Sequence, residues 1–383
     1  MRTLIVAFLL AVGIAAVMTP LVLHLSRRLR LYDVPDGVRK IHTREIPRTG
    51  GVAIAAGFFA PLIGLLFYTN TFSIQLLSNQ TRMLGFIVGA LAILALGVVD
   101  DLRGLGAWSK LSVQFAVAAL LWVCGVSFDQ FKIFGTTIEL GLWSLPITMI
   151  WVAGIINAMN LIDGLDGLAG GVAFFASASL FIVAALDGNL ILGLFAACLA
   201  GSVLGFLLYN FSPALIFMGD AGSMTMGYVF AAAGLWSTGK RATTVALLLP
   251  LVALGVPIID TLFAIFRRTI RGQSPFSSDR GHIHHRLLDA GYTQRQAVLI
   301  LYGVCVTLTV VAVAVHSADD PVIGLVLLAL VGAAALVVRA VGLRRAMLRS
   351  RGPAAPPAPE PPCTEEPPGA AGRGSASDGQ AVP

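Results

Sequence analysis

Near residue 280 the chain carries a cluster unsuited to packing: Asp279-Arg280-Gly281 runs into His282-Ile283-His284-His285 and then Arg286. Three imidazoles beside two guanidiniums need an anion or a metal ion to face. Zinc is the obvious metal, but His-x-His-His lacks the spacing of a four-ligand site, and no cysteine lies nearby to complete one. Aspartates recur elsewhere, at Asp100, Asp101, Asp163, Asp166 and Asp220. Such a set favours a hard, oxygen-seeking ion, Mg²⁺ or Mn²⁺. The imidazoles of His282, His284 and His285, with Arg280, then read as donors to a diphosphate.

Each acidic cluster also has a plain structural reading. Asp100 and Asp101 close an apolar run, where a helix C-terminus disfavours carboxylates unless a cation compensates; a solvated helix end beside Arg103 and Lys110 explains them equally well alone. Asn157, Asn160, Asp163 and Asp166 follow at intervals of three, which keeps them near one helical face. Asp-Gly pairs at 163–164 and 166–167 mark turns, but two amides one turn apart in an apolar run are harder to explain without function. In Gly219-Asp220-Ala221-Gly222-Ser223, Asp220 or Ser223 could simply cap a helix. A glycine-flanked helix start is also a natural phosphate site, and its carboxylate could carry Mg²⁺ to that phosphate. Asp260, two turns inside an apolar stretch, is either functional or paired for packing. Lys40, His42 and Arg48 lie in a Pro/Gly-dense loop at 35–51, whose charge is also what topology requires.

These residues must be held by membrane elements. Hydrophobic residues make up 57% of the chain and charged ones 12%, about half the charged share of a soluble domain. Apolar runs near the ~20 residues needed to cross a bilayer recur along the chain. They predict an all-α polytopic membrane protein of about eleven spans, at 3–24, 50–68, 84–100, 109–126, 142–159, 168–186, 189–209, 222–238, 243–266, 297–316 and 321–340. The first lacks a small-x-small cleavage site and reads as a retained span. All of the 26 lysines and arginines except Arg2, Arg82, Lys132, Lys240 and Arg241 fall on one side of these spans. That bias predicts an external N-terminus and a cytoplasmic C-terminus, with every polar cluster on the cytoplasmic face. Residues 127–142 are too polar to span and read as a small external hairpin. A membrane domain over 1–345 is expected, followed by a disordered tail over 346–383, where nine of the chain's 19 prolines fall. The cysteines sit in apolar runs or the tail and suggest no disulfide framework.

In order and kind, the stretches 35–51, 100–101, 157–168, 210–223, 257–260 and 274–291 resemble the polyprenyl-phosphate N-acetylhexosamine-1-phosphate transferases. His-Ile-His-His-Arg-Leu is similar to the branch that initiates O-antigen, enterobacterial common antigen, teichoic acid or arabinogalactan synthesis; the peptidoglycan branch has an uninterrupted His-His-His. The resemblance implies a multi-pass enzyme of the bacterial cytoplasmic membrane. It would transfer GlcNAc-1-phosphate from UDP-GlcNAc to undecaprenyl phosphate, with Mg²⁺ (Mn²⁺ as the alternative), no nucleic-acid partner, and room for a homodimer. It implies that Asp220 binds the metal and that Asp100 deprotonates or orients the lipid phosphate, with Asp101 supporting metal or geometry. Asp163, Asp166, Asn157 and Asn160 would hold the nucleotide or the metal's outer shell. Arg280, His282, His284 and His285 would grip diphosphate and sugar, and Lys40, His42 and Arg48 the lipid phosphate. Another N-acetylhexosamine or a MurNAc-pentapeptide donor is the same chemistry. An ion-coupled transporter would instead place its polar groups near the midplane and show repeated halves, and a lipid-binding scaffold would give no reason for separate carboxylate sites.

Overall fold

Backbone polar groups find no water in a bilayer, so apolar runs of this length close their hydrogen bonds within helices. The computed structural model describes residues 1–33, 45–133, 136–237 and 283–317. Lys40, His42, Asp260, Arg280, His282, the spans expected at 243–266 and 321–340, and the tail lie outside the described residues. The described helices are α1 (Arg2–Arg28), α2 (Gly51–Leu66), α3 (Thr71–Ser78), α4 (Gln80–Arg103), α5 (Ala107–Val123), α6 (Ser144–Ile162), α7 (Leu168–Leu186), α8 (Leu190–Asn210), α9 (Gly219–Ser237), α10 (Ile283–Asp289) and α11 (Gln294–Ser317). All but α3 and α10 coincide with the nine spans expected in these segments. Six are long and apolar enough to cross a membrane: α1, α4, α6 with the turn before it, α7, α8 and α11; the pair α2–α3, bent by 98°, makes a seventh if it is one broken span.

The bend has a local cause. Asn70 Oδ1 accepts the Phe72 and Ser73 N–H groups at 2.8 and 2.9 Å, while Ser73 Oγ accepts the Asn70 N–H at 2.9 Å. This capping box starts a new helix beyond the span expected at 50–68. Two short antiparallel ladders add to the all-helical expectation. β1 (Tyr32–Asp33) pairs with β2 (Ile46–Pro47) and closes the base of the first loop. β3 (Gln130–Ile133) pairs with β4 (Thr136–Glu139) as the hairpin expected at 127–142.

α8 is apolar on all sides and is accordingly buried almost throughout, packed by α1, α2 and α7. Phe86 of α4 stacks on Phe195 of α8 at 4.7 Å and on Tyr228 of α9 at 5.7 Å between ring centres. The Tyr228 hydroxyl, buried with them, donates to the Phe86 carbonyl at 3.0 Å. This aromatic contact ties α4 to α9, and α6 packs along the other side of α9. The ends of those three helices carry the polar clusters.

Candidate active site

Five chain segments meet at one end of the bundle: the C-terminal ends of α4 and α6, the N-terminal ends of α5 and α9, and residues 46–51 leading into α2. Asp100, in the last turn of α4, turns the chain back on itself: its Oδ1 accepts the Leu105 N–H at 2.6 Å, just past Gly104. Its Oδ2 accepts from Lys110 Nζ at 3.0 Å, and the same ammonium donates to Asp220 Oδ2 at 2.9 Å. The side chains of Lys110, Asp100 and Asp220 are only 22%, 10% and 14% exposed. One cation thus bridges two shielded carboxylates. Asn160 lies beside Asp220, and its Nδ2 donates to Ser223 Oγ at 3.0 Å.

Asp101 does something different. Its Oδ1 accepts the Asp220 N–H at 2.8 Å and its Oδ2 the Ala221 N–H at 3.1 Å. Its carboxyl group sits at the N-terminus of α9, where unpaired N–H groups and the helix dipole favour negative charge against the cost of burial. The phosphate site that the sequence suggests at this helix start is therefore filled from within the chain. Gly219, at φ +66°, is required twice over: its backbone is left-handed, and a Cβ there would run into the Asp101 carboxylate and the Arg48 carbonyl.

A backbone seam brings Arg48 in. The Phe217 N–H donates to the Pro47 carbonyl at 2.8 Å, the Gly50 N–H to Phe217 at 2.9 Å, and the Gly51 N–H to Met218 at 2.8 Å. Its charge acts on both Asp101 and Asp163. Beneath the seam, backbone lies on backbone: a Cβ on Gly51 would meet the Gly222 nitrogen, and one on Gly97 of α4 the Ala221 Cα.

Asp163 caps the C-terminal end of α6. Burial raises its carboxyl to about 7; Arg48 pulls it down, and the Asp220, Asp101 and Asp166 charges push it up. Asp166 Oδ2 accepts the Ala214 N–H at 3.0 Å, which fastens the 163–167 loop to the loop leading into α9. Asn157 lies a turn deeper, its Nδ2 donating to Gln114 Oε1 and to the Ala153 carbonyl, both at 2.7 Å. The structure thus gathers Arg48, Asp100, Asp101, Asn160, Asp163 and Asp220, with Asn157 below and Asp166 beside them. His284 and His285 belong to α10, but their side chains, with all of His282, Arg280, Lys40 and His42, lie outside the described residues.

Lys110 and Gln114 are the residues sequence reasoning passes over. Lys110 counts there as one more cytoplasmic positive charge. The signal was their spacing: four apart on α5, a lysine and a glutamine present one polar stripe within an apolar helix. Among the described residues no three His, Cys, Asp or Glu side chains converge on a ready cation cage. Asp100 and Asp220 nonetheless offer carboxylate oxygens to one shared cation. That donor set fits Mg²⁺, which takes one or two protein carboxylates and completes its shell from phosphates and water.

The chain matches the model of Glycosyl transferase family 4 over residues 83–238, which takes in the acidic and amide clusters from Asp100 to Asp220. It is 37% identical over 320 residues to the probable undecaprenyl-phosphate N-acetylglucosaminyl 1-phosphate transferase of Bacillus subtilis, covering 83% of this chain and 86% of that protein. To the decaprenyl-phosphate N-acetylglucosaminephosphotransferase of Mycolicibacterium smegmatis it is 36% identical over 290 residues, 69% of this chain and 70% of that one. The undecaprenyl-phosphate alpha-N-acetylglucosaminyl 1-phosphate transferase of Escherichia coli K12 is 28% identical over 283 residues, 72% and 74% of the two chains.

Proposed function

This chain belongs to glycosyl transferase family 4, and from that premise we propose that it transfers GlcNAc-1-phosphate from UDP-GlcNAc to undecaprenyl phosphate. The products are undecaprenyl-diphospho-GlcNAc and UMP, and the step initiates a cell-envelope polysaccharide. The observation that carries this reading is the Lys110 bridge between Asp100 and Asp220, a cation already seated between shielded carboxylates where helix ends meet. The names of the relatives support the lipid acceptor and the sugar.

In the reaction an oxygen of the lipid phosphate forms a bond to the β-phosphorus of the donor. The bond from that phosphorus to the α–β bridging oxygen breaks, and the oxygen leaves with UMP. Both reactants are anions, so the protein must first lower their repulsion and align them. Lys110, Arg48 and Arg280 supply positive charge. Mg²⁺ or Mn²⁺, held by Asp220 with Asp100 as the second carboxylate, would neutralise charge on the donor diphosphate. Asp101 holds Asp220 in place through the first turn of α9. Asp100 orients the lipid phosphate or takes its proton, while Asn157, Asn160, Asp163 and Asp166 line the nucleotide side. Lys40 and His42 face the lipid phosphate, and His282, His284 and His285 grip the diphosphate and sugar. Transfer is direct, because a deprotonated phosphate is already a competent nucleophile and needs no covalent enzyme intermediate. A lipid acceptor requires the site at a membrane face, here the cytoplasmic face of the bacterial inner membrane.

The test is transfer of label from UDP-[¹⁴C]GlcNAc to undecaprenyl phosphate by the purified protein, with Mg²⁺ and then with EDTA. Metal-dependent lipid labelling with release of UMP is expected. Turnover only with a different UDP-N-acetyl sugar would change the donor and keep the mechanism; silence with every donor from folded protein would overturn the proposal.

A further inference from the structure

α11 does not touch the carboxylates, yet it reaches the two loops that hold them. The Tyr302 hydroxyl donates to the Gly167 carbonyl at 2.6 Å, and Arg295 Nε donates to the Ser212 carbonyl at 2.8 Å. Tyr302 follows Arg295 by seven residues, two turns on, so both project from one face of α11. The Tyr302 ring fits a place cleared for it: a Cβ on Gly171, one turn into α7, would overlap the ring itself.

The two loops are already fastened to each other. Asn210 Oδ1 accepts the Gly167 N–H at 3.1 Å, and Asn210 Nδ2 donates to the Ile216 carbonyl at 2.9 Å. Asp166 adds its bond to the Ala214 N–H. Tyr302 and Arg295 therefore close a ring of hydrogen bonds that runs from α11 through Gly167, Asn210 and residues 212–216 and back to α11.

The same helix is stiffly joined to the one before it. α10 ends with the Gly291 N–H donating to Leu288 at 2.9 Å and the Tyr292 N–H to Leu287 at 3.2 Å, across Gly291 at φ +91°. α11 begins at once with a reciprocal cap: Gln296 Oε1 accepts the Thr293 N–H at 3.0 Å, and Thr293 Oγ1 accepts the Gln296 N–H at 3.3 Å. With both helix ends closed this way, the elbow leaves little freedom between α10 and α11. Whatever fixes α11 also fixes α10, the element that carries His284 and His285.

We propose that Arg295 and Tyr302 are positioning residues: by anchoring α11 to the loops at Gly167 and Ser212, they set the histidine helix in register with the carboxylates. The inference rests on the transferase reading and adds to it the means by which two distant parts of the site are aligned. Neither residue touches a reacting group; each acts through the element it holds.

The test compares wild type with Tyr302→Phe, Arg295→Gln, the double variant and Arg295→Lys. Tyr302→Phe keeps the ring and its packing, and Arg295 is exposed, so each variant should fold. Each of the first two is expected to lower kcat about three- to tenfold, the scale of one hydrogen bond, with KM for the lipid unchanged within about twofold. Because either change opens the same ring, the double variant should lose little beyond the larger single loss. Arg295→Lys, which keeps a donor, should restore at least about half of the rate. Amide exchange across residues 284–292 should quicken at least about threefold in Tyr302→Phe, while that of α8 stays as in wild type. Unchanged kcat in both single variants, or losses that multiply in the double, would overturn the proposal. A wild type that transfers nothing would count against the transferase reading instead; amide exchange would then decide the anchoring by itself, and unchanged exchange at 284–292 would refute it.

Discussion

Replacing Asp101 by Asn leaves the shape of the side chain nearly intact and removes the anion that starts α9. In the structure both carboxylate oxygens accept backbone N–H groups, from Asp220 at 2.8 Å and from Ala221 at 3.1 Å. Asn keeps one acceptor and turns the other position into an NH₂ group facing an N–H. One charge-assisted bond, worth about 1.5–3 kcal/mol, is lost outright, and the survivor weakens to an ordinary bond of about 1 kcal/mol. Loss of the charge at the helix start removes about 0.3–1 kcal/mol more. The combined loss is about 2–6 kcal/mol, and it falls on the peptide that carries Asp220. If Asp220 must be held in place for transfer, that energy appears in the barrier, and kcat falls at least about 30-fold. The assay is lipid labelling at saturating donor and acceptor, at least ten degrees below the midpoint of thermal unfolding measured in the same detergent. A variant that unfolds earlier yet keeps kcat within about threefold of wild type would refute the reasoning, since Asp101 would then support the fold without aligning the site.

Asp220→Asn should lower transfer at least about 100-fold, the scale of losing one electrostatic stabiliser, and added Mg²⁺ should not restore it; labelling over a range of Mg²⁺ concentrations checks both. Gly219→Ala forces a side chain into left-handed backbone, at about 1–2 kcal/mol, and into the Asp101 carboxylate, so thermal unfolding should come earlier and activity should drop with it. Asp163 titrates at about 7 in the folded protein against 3.8 ordinarily. Because the folded state holds that proton more tightly, its contribution to stability is complete below about pH 4 and is lost as pH rises through 7. Metal-free Asp163→Asn should therefore show a flatter thermal midpoint between pH 4 and pH 7 than wild type, and parallel curves would refute the assignment.

The polar clusters were legible because an apolar chain makes every intramembrane amide or acid conspicuous. Asn157 and Asn160 could be singled out from the sequence for that reason, as could Asp100 and Asp101 at the end of their run. Their partners were less visible. Lys110 reads as a topological charge until Asp220, 110 residues away, is placed against it. The seam between residues 47–51 and 217–218 is made of backbone groups alone, and backbone bonding leaves no mark on residue type. The division of labour between Asp100 and Asp101 was equally hidden. They are sequence neighbours, and only the position of α9 decides that one faces an ammonium and the other a helix start. Helix α3 was missed because its eight residues are too few to register as a span, although Asn70 and Ser73 spelled out the cap.

Where Gly51 and Gly97 lie against the first turn of α9, two backbones touch its backbone without side chains between them. A contact of that kind has no smaller neighbour to mutate toward, because every substitution at Gly51, Gly97 or Gly222 adds atoms and pushes the chains apart. It also has no rotamers through which a misfit could be absorbed. Variation among sequences that use this arrangement is thereby channelled away from the floor. A change of donor sugar would have to come from side chains at the rim, which can be exchanged without altering the distance between α4, α2 and α9.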